Sequence, residues 1–183
     1  IHLENFSALK LLAVDKTGTL TEGRPRVTDV FVREDLDERA MIQTLASIES
    51  QSNHPLAQAI VRYAKEQNID LKPNIDIEDI PGSGLKAMID NETYLVGKPD
   101  FVNREEAFQF ANGLATKLAE EGKTVIFMRN NEGIIALVAM KDTVRKEAKE
   151  AIQSLKELGI HITMLTGDNE KTAKAISTEA KVD

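Results

Sequence analysis

Two short apolar segments near opposite ends of the chain limit its possible folds most strongly. Residues 9–14 (LKLLAV) stop at Asp15 and are followed by the polar, glycine-containing run DKTGTLT, and residues 160–165 are followed by TGDN and a helical pattern. Such a segment is typical of a buried strand that delivers a polar side chain to its carboxyl end. Both ends of the 183-residue chain are therefore predicted to be βα in character.

The middle of the chain has a different pattern. Helical spacing of apolar residues predicts helices over 37–49, 55–67 and 108–121, and alternation predicts antiparallel hairpins, with turns at Asp90-Asn91 and at 130–133. Near the end, helices are predicted over 144–158, closed by Gly159, and over 170–180. The simplest account is one domain inserted into another, with residues 29–134 inserted between 1–28 and 135–183. The remaining strands are predicted at 27–32, 75–80, 85–89, 93–96, 124–128 and 134–140.

Composition excludes several functions. A net charge of -7, two Tyr and no Trp disfavour nucleic-acid binding. The absence of Cys excludes disulfides and thiolate sites, and three scattered His disfavour a zinc centre built by the protein. The longest apolar run, residues 134–140, is far shorter than the roughly 20 residues of a bilayer-spanning helix. The sequence as given is thus expected to be soluble, and Ile1 in place of Met suggests a piece of a longer protein.

The run DKTGTLT is the strongest motif. An Asp at the end of a buried strand, followed by a glycine turn rich in hydroxyls, places a nucleophilic carboxylate beside a cradle for a phosphoryl group. The motif resembles the phosphorylation motif of the P-type ATPases, ion pumps of the haloacid dehalogenase superfamily that form an aspartyl phosphate. Related phosphatases usually have a second Asp two positions after the nucleophile, where this chain has Thr17. A hydroxyl is a poor acid or base near neutral pH, so the acyl phosphate is expected to persist.

The second motif, TGDN, resembles the next family element in order and spacing. The resemblance implies that the Thr166 hydroxyl and the Gly167 N–H hold phosphoryl oxygens, with Asp168 near Mg²⁺ or the nucleotide. Alone, TGDN also reads as a helix N-cap with a turn. Residues 141–145 fit the family's DxxR element, or else an N-capping Asp142 with a solvated Arg145. The implied catalytic residues are Asp15, Lys16, Thr17, Thr166, Gly167 and Asp168, and the implied Mg²⁺ ligands are Asp15 and the backbone carbonyl of Thr17.

His54-Pro55 is the third element. In isolation, it is more often a helix cap than a ligand site. With Glu49 before it and Gly82-Ser83-Gly84 after it, however, it resembles the nucleotide-binding domain of the heavy-metal class of P-type pumps. The alternative interpretation of Gly82 and Gly84 is that they are glycines of a hairpin. Pumps of this class have a later Gly-Asn or Gly-Ser pair in the ATP site, and Gly97-Lys98 departs from it. Gly122-Lys123-Thr124 is not a P-loop, because Lys117 stands where a glycine is required. The implied ATP-binding residues are Glu49, His54, Gly82, Gly84 and Gly97.

The resemblance implies an α/β fold. A partial haloacid dehalogenase-like, Rossmann-type phosphorylation domain would contain an inserted α+β nucleotide-binding domain. The implied function is ATP-dependent heavy-metal transport through an aspartyl phosphate with Mg²⁺, at the cytoplasmic side of a membrane. The expected partners are ATP, the transported metal, and actuator and membrane domains of the same parent chain. Residues 1–10 are more similar to the divalent (zinc, cadmium, cobalt) branch than to the copper branch. The rivals are a soluble phosphatase of the same superfamily and a non-catalytic nucleotide-binding module.

The family continues after TGDN with a Lys and a GDGxND loop, which this sequence does not contain. The isolated chain is therefore expected to be inactive in phosphoryl transfer.

Overall fold

The computed structural model describes residues 9–73 and 75–182. Residues 1–8 thus lie outside the described residues, and they are most of the segment 1–10 whose similarity predicts a divalent metal. No helix in the described part of the chain has the length and apolar character needed to cross a membrane. In chain order, the elements are β1 (Leu11–Asp15), β2 (Arg26–Val32), α1 (Glu38–Glu49), α2 (Pro55–Glu66), β3 (Asp76–Ile80), β4 (Gly84–Ile89), β5 (Glu92–Gly97), α3 (Pro99–Val102), α4 (Arg104–Glu120), β6 (Thr124–Asn130), β7 (Gly133–Lys141), α5 (Lys146–Glu157), β8 (His161–Leu165) and α6 (Glu170–Ala180).

The strands that precede the two phosphoryl-type motifs are neighbours. β1 and β8 form a parallel two-stranded sheet in which Asp15 lies opposite Leu165. α5 and α6 contribute Ile152 and Ile176 to the small core that covers this sheet. Since parallel neighbours end at the same edge, the loops that follow Asp15 and Leu165 emerge side by side.

The middle of the chain forms one antiparallel sheet of six strands in the order β2-β7-β6-β5-β4-β3. Successive side chains of a strand point to opposite faces, and both faces of this sheet are covered by helices. Ile126 belongs to the core formed with α1 and α2, whereas Phe127 belongs to the core formed with α3 and α4. Ile48 of α1 and Ile60 of α2 are at most 1% exposed, so each contributes about 1.5 to 3 kcal/mol by burial.

Local signals in the sequence explain most of the element ends. The side chain of Asp37 accepts a hydrogen bond from the Ala40 N–H at 2.8 Å and begins α1, and Asn169 does the same for the Thr172 N–H at 3.0 Å in α6. Gly122 and Gly159 have φ of 77° and end α4 and α5, as the sequence predicts. These helix stops are therefore confirmed.

Helix α4 differs from its prediction. It begins at Arg104 rather than at 108, because Asn103 accepts a hydrogen bond from the Glu106 N–H at 3.2 Å and supplies an earlier cap. Residues 110–113 leave helical geometry, with Ala111 at φ 51°. Phe110, the first residue of this break, and Leu114, directly after it, pack against the same core.

Two linkers, residues 21–25 and 142–145, connect the two sheets and are clamped together. The Asp142 carboxylate accepts hydrogen bonds from the backbone N–H groups of Gly23 and Arg24 at 3.0 and 3.2 Å. Arg145 donates from Nε to the backbone carbonyl oxygen of Thr21 at 2.9 Å. The alternative of an N-capping Asp142 with a solvated Arg145 is wrong, since both side chains bind the opposite linker.

The pairing of β2 with β7 indicates the limits of the inserted domain. Arg26 of β2 lies opposite Lys141 of β7, so both strands belong entirely to the six-stranded sheet. We therefore propose limits at about residues 25 and 142, in place of 28 and 135. Below, the insert is residues 26–141, and the parallel unit is residues 9–25 and 142–182.

Candidate functional site

A cleft of about 440 Å³ lies between the parallel unit and the insert. On the insert side, its wall is one end of the six-stranded sheet, where β3, β5 and β7 end and β4 and β6 begin. The opposite wall contains the loops that follow β1 and β8. The cleft therefore lies at the carboxyl ends of parallel strands, where α/β proteins commonly bind ligands.

The loop after β1 is held in shape by Thr21, which is fully buried. Its hydroxyl donates to the backbone carbonyl oxygen of Lys16 at 3.1 Å and accepts from the Gly18 N–H at 3.3 Å. Gly18 has φ of 78°, which glycine adopts without strain, and no atom lies within 4 Å of the position of a Cβ. The loop is thus closed at its base and open beside Gly18.

Asp168 connects three segments at one end of the cleft. Its carboxylate forms an ion pair with the ammonium of Lys16 and accepts hydrogen bonds from the hydroxyls of Thr124 at 3.0 Å and Thr166 at 3.2 Å. Thr124 belongs to the insert, so this contact crosses the cleft. The side chains of Lys16 and Asp168 are 11% and 10% exposed, and each neutralises the charge of the other, which would be costly to bury alone.

Asp15 lies directly beside this cluster, at the carboxyl end of β1. Its side chain is exposed, and the cleft lining begins with Lys16 and Thr17. Gly167, in the neighbouring loop, has no atom within 4 Å of the position of a Cβ. The space beside Gly18 and Gly167 is therefore open in both loops.

The donor chemistry beside Asp15 suits a magnesium ion shared with a phosphate. Mg²⁺ prefers oxygen ligands and is usually held by one or two carboxylates together with substrate phosphates. The Asp15 carboxylate and the backbone carbonyl of Thr17 are oxygen donors of this class. Within residues 9–73 and 75–182, no group of three or more His, Cys, Asp or Glu side chains is arranged to hold a metal ion.

The far end of the cleft contains Glu49 and His54. Glu49, the last residue of α1, is 8% exposed; its burial, followed by the negative charge of Asp79, raises the pKa of its carboxyl group to about 7. His54 begins α2, and its Nδ1 accepts a hydrogen bond from the Leu56 N–H at 3.2 Å. The capping interpretation of His54 is therefore confirmed, and the exposed ring lines the cleft as well.

Three positions in this region are occupied by glycine for different structural reasons. A Cβ on Gly84 would lie 2.1 Å from the carbonyl oxygen of Val96, and one on Gly97 would lie 2.5 Å from that of Ser83. Gly84 and Gly97 face each other across β4 and β5, so this close backbone approach requires glycine at both positions. Gly82 has φ of 77° in the turn after β3 and open space around it.

The structure brings the predicted residues together with one qualification, since Asp15 lies beside the cleft lining rather than within it. Thr124 and Asp79 are among the residues of the cleft that sequence reasoning missed. Thr124 was considered only in the rejected P-loop and as the first residue of a predicted strand, and Asp79 was predicted only as part of the strand over 75–80. The predicted residues that line the cleft are Lys16, Thr17, Glu49, His54, Gly82, Gly84, Gly97, Thr166, Gly167 and Asp168.

Comparison with known proteins gives consistent matches. The sequence model of the haloacid dehalogenase-like hydrolases matches residues 9–182. The zinc-transporting ATPase of Bacillus subtilis (strain 168) is 39% identical over 180 residues, which are 98% of this chain and 28% of that protein. The copper-exporting P-type ATPase of Staphylococcus saprophyticus is 42% identical over 183 residues, 100% of this chain and 22% of that protein. The chain thus spans about a quarter of the length of these curated relatives.

A solved structure agrees with these matches. The catalytic domain of the CPx-ATPase CopB-B, described in a study of its conformational changes upon nucleotide binding, superposes with a TM-score of 0.73 and 28% sequence identity. The match covers 100% of this chain and 62% of that one.

Proposed function

The chain belongs to the haloacid dehalogenase-like hydrolase family, and from this premise we propose that it is the ATP-binding and phosphorylation region of a heavy-metal-translocating P-type ATPase. The transporting ATPases among its relatives support this function. The single structural observation that supports it best is the cleft, which has the DKTGTLT and TGDN loops at one end and Glu49 and His54 at the other.

In the proposed complex, the base of ATP occupies the end of the cleft at Glu49 and His54. Because Nδ1 of His54 accepts the Leu56 N–H, Nε2 is the ring nitrogen that can donate to a ligand. This ring can stack on adenine or donate to it, and the Glu49 carboxyl group can bind the exocyclic amino group. The phosphates then extend along the sheet end toward Asp15.

In the proposed reaction, a carboxylate oxygen of Asp15 attacks the γ-phosphorus of ATP. The bond from phosphorus to the bridging oxygen breaks, and ADP leaves with that oxygen. The Thr166 hydroxyl and the Gly167 N–H bind the oxygens of the transferring group. Mg²⁺, held by Asp15, the Thr17 carbonyl and the phosphates, would supply positive charge there. Thr17 has no carboxyl group to activate water, so the acyl phosphate persists.

Two other functions are less well supported. A soluble phosphatase of the same superfamily would need a second acid at position 17, and it would not need a nucleotide-type insert. A non-catalytic nucleotide-binding module would leave Asp15 without a purpose at the mouth of the cleft. Formation of an acyl phosphate separates both alternatives from the proposed function.

The whole protein would place this region at the cytoplasmic side of a membrane. Its partners there would be ATP, membrane helices that bind the metal, and an actuator domain of the same chain. We propose a divalent metal as cargo, on the similarity of residues 1–10 to the zinc, cadmium and cobalt branch. Zinc- and copper-transporting relatives are 39% and 42% identical to this chain, so the cargo has to be measured on the whole transporter.

Two measurements test the proposed function. Titration of this chain with MgATP, followed by backbone amide NMR, should shift resonances around Glu49, His54 and Gly82. Incubation of the longer protein with γ-labelled ATP should give an acid-stable, hydroxylamine-labile product. ATP binding without labelling would favour the non-catalytic module. Rapid release of phosphate from simple phosphate esters would favour the phosphatase.

A further inference from the structure

Lys98 occupies the centre of the cleft wall on the insert side. It directly follows β5, its side chain is exposed, and it lines the cleft. Its backbone is fixed from both sides, because its N–H donates to the Ser83 carbonyl at 3.3 Å and its carbonyl accepts from the Phe101 N–H at 3.0 Å. These backbone bonds do not involve the side chain, so they persist when it is replaced.

Sheet order locates Lys98 between the two ends of the cleft. β5 lies between β6, which begins with Thr124, and β4, which begins with Gly84. Gly97, the residue before Lys98, lies opposite Phe127 of β6, and the first residue of that strand, Thr124, contacts Asp168. On the other side, β4 and β3 lead to Asp79, whose charge acts on Glu49. A chain of phosphates that runs along this wall from the base end to Asp15 would therefore cross the end of β5, where Lys98 lies.

Charge distinguishes Lys98 from the other groups of the cleft. The described lining contains two lysines and no arginine, and Lys16 is paired with Asp168. Within residues 9–73 and 75–182, Lys98 forms no ion pair, although an exposed lysine costs little to leave solvated. The Asp142 carboxylate is already occupied by two backbone N–H groups of the opposite linker. Lys98 is thus the cleft cation that remains available to an anionic ligand.

We propose that Lys98 is the polyphosphate-binding cation of the insert. Its ammonium contacts the phosphates of the bound nucleotide, so affinity increases from adenosine to ADP and ATP. This inference rests on the proposed function and assigns a specificity-determining residue to the same site. A lysine that is merely solvated would contribute nothing to the affinity for any of the three ligands.

The test compares adenosine, ADP and ATP on this chain by calorimetry or NMR titration. Lys98→Met should weaken ADP and ATP binding about tenfold, the scale of one charge-assisted hydrogen bond, and leave adenosine binding unchanged. Lys98→Arg should retain the affinity for ATP. Lys65→Met is the matched control, because Lys65 is exposed near the other end of α2, about 15 Å along the helix from Pro55. Added salt should weaken ATP binding less in Lys98→Met than in the wild type.

Several outcomes would overturn the proposal. Unchanged ATP affinity in Lys98→Met would do so, as would an equal loss for adenosine and ATP, which would indicate a change of shape rather than of charge. An equal loss in Lys65→Met would assign the effect to net charge. Failure of the wild type to bind any of the three ligands would instead overturn the proposed function, and the role of Lys98 with it.

Discussion

Glu49 places a carboxyl group inside the cleft at an energetic cost that depends on pH. Burial, and then the charge of Asp79, raise the pKa of Glu49 from its ordinary value of 4.5 to about 7. In the unfolded chain, the same group ionises near the ordinary value. Folding therefore takes up a proton between these two values, and the free energy of unfolding falls as pH rises through that range.

Replacement of Glu49 by Gln removes this dependence, because the amide has nearly the same shape and does not ionise. The rise in pKa is equivalent to about 3 kcal/mol once the pH exceeds the folded-state value. Relative to the wild type, Glu49→Gln should gain about 2 to 3 kcal/mol of unfolding free energy between pH 5 and pH 8. Below the unfolded-state value the difference between the two proteins should no longer change with pH.

Urea denaturation at pH 5, 6, 7 and 8 measures this difference, followed by far-UV circular dichroism because the chain has no Trp. Glu66→Gln is the control, since Glu66 is an exposed carboxylate in the last turn of α2. Its unfolding free energy should follow that of the wild type at every pH. A constant difference between Glu49→Gln and wild type across this range would refute the reasoning.

Two further substitutions test the cleft and the linkers. His54→Ala should weaken ATP binding by about 1 to 2 kcal/mol through loss of the ring. His54→Asn, which retains a capping side chain, should show the same loss, and wild-type affinity in either variant would remove His54 from the site. Asp142→Ala should lower the free energy of unfolding by about 1 to 3 kcal/mol, because the N–H groups of Gly23 and Arg24 lose their acceptor, the buried Asp142 carboxylate. An unchanged urea midpoint for Asp142→Ala would contradict the clamp between the linkers.

Local chemistry in the sequence was sufficient to predict many elements. Gly122 and Gly159 adopt the left-handed geometry expected of helix stops, and Asp90 and Asn91 have φ of 53° and 64°, as a two-residue hairpin turn requires. Asp15 falls at the end of β1, where the change from apolar to polar residues predicts it. In each case, the determining interactions lie within a few residues along the chain.

Contacts between distant segments were not predictable from the same signals. Asp142 has the position of an N-cap in the sequence, but its carboxylate binds residues more than a hundred positions earlier. Thr124 contacts Asp168 across the cleft, 44 positions later in the chain. The break in α4 at residues 110–113 likewise has no signal in the local pattern, and Phe110 and Leu114 both pack against one core there.

Phosphoryl transfer to Asp15 is the central claim, and labelling of the longer protein tests it most directly. Wild-type protein incubated with γ-labelled ATP should retain acid-stable, hydroxylamine-labile label. Asp15→Asn should lose all labelling and keep nearly the wild-type affinity for ATP, because the amide is not a competent nucleophile and the base binds in the insert. Labelling that survives in Asp15→Asn would contradict the claim.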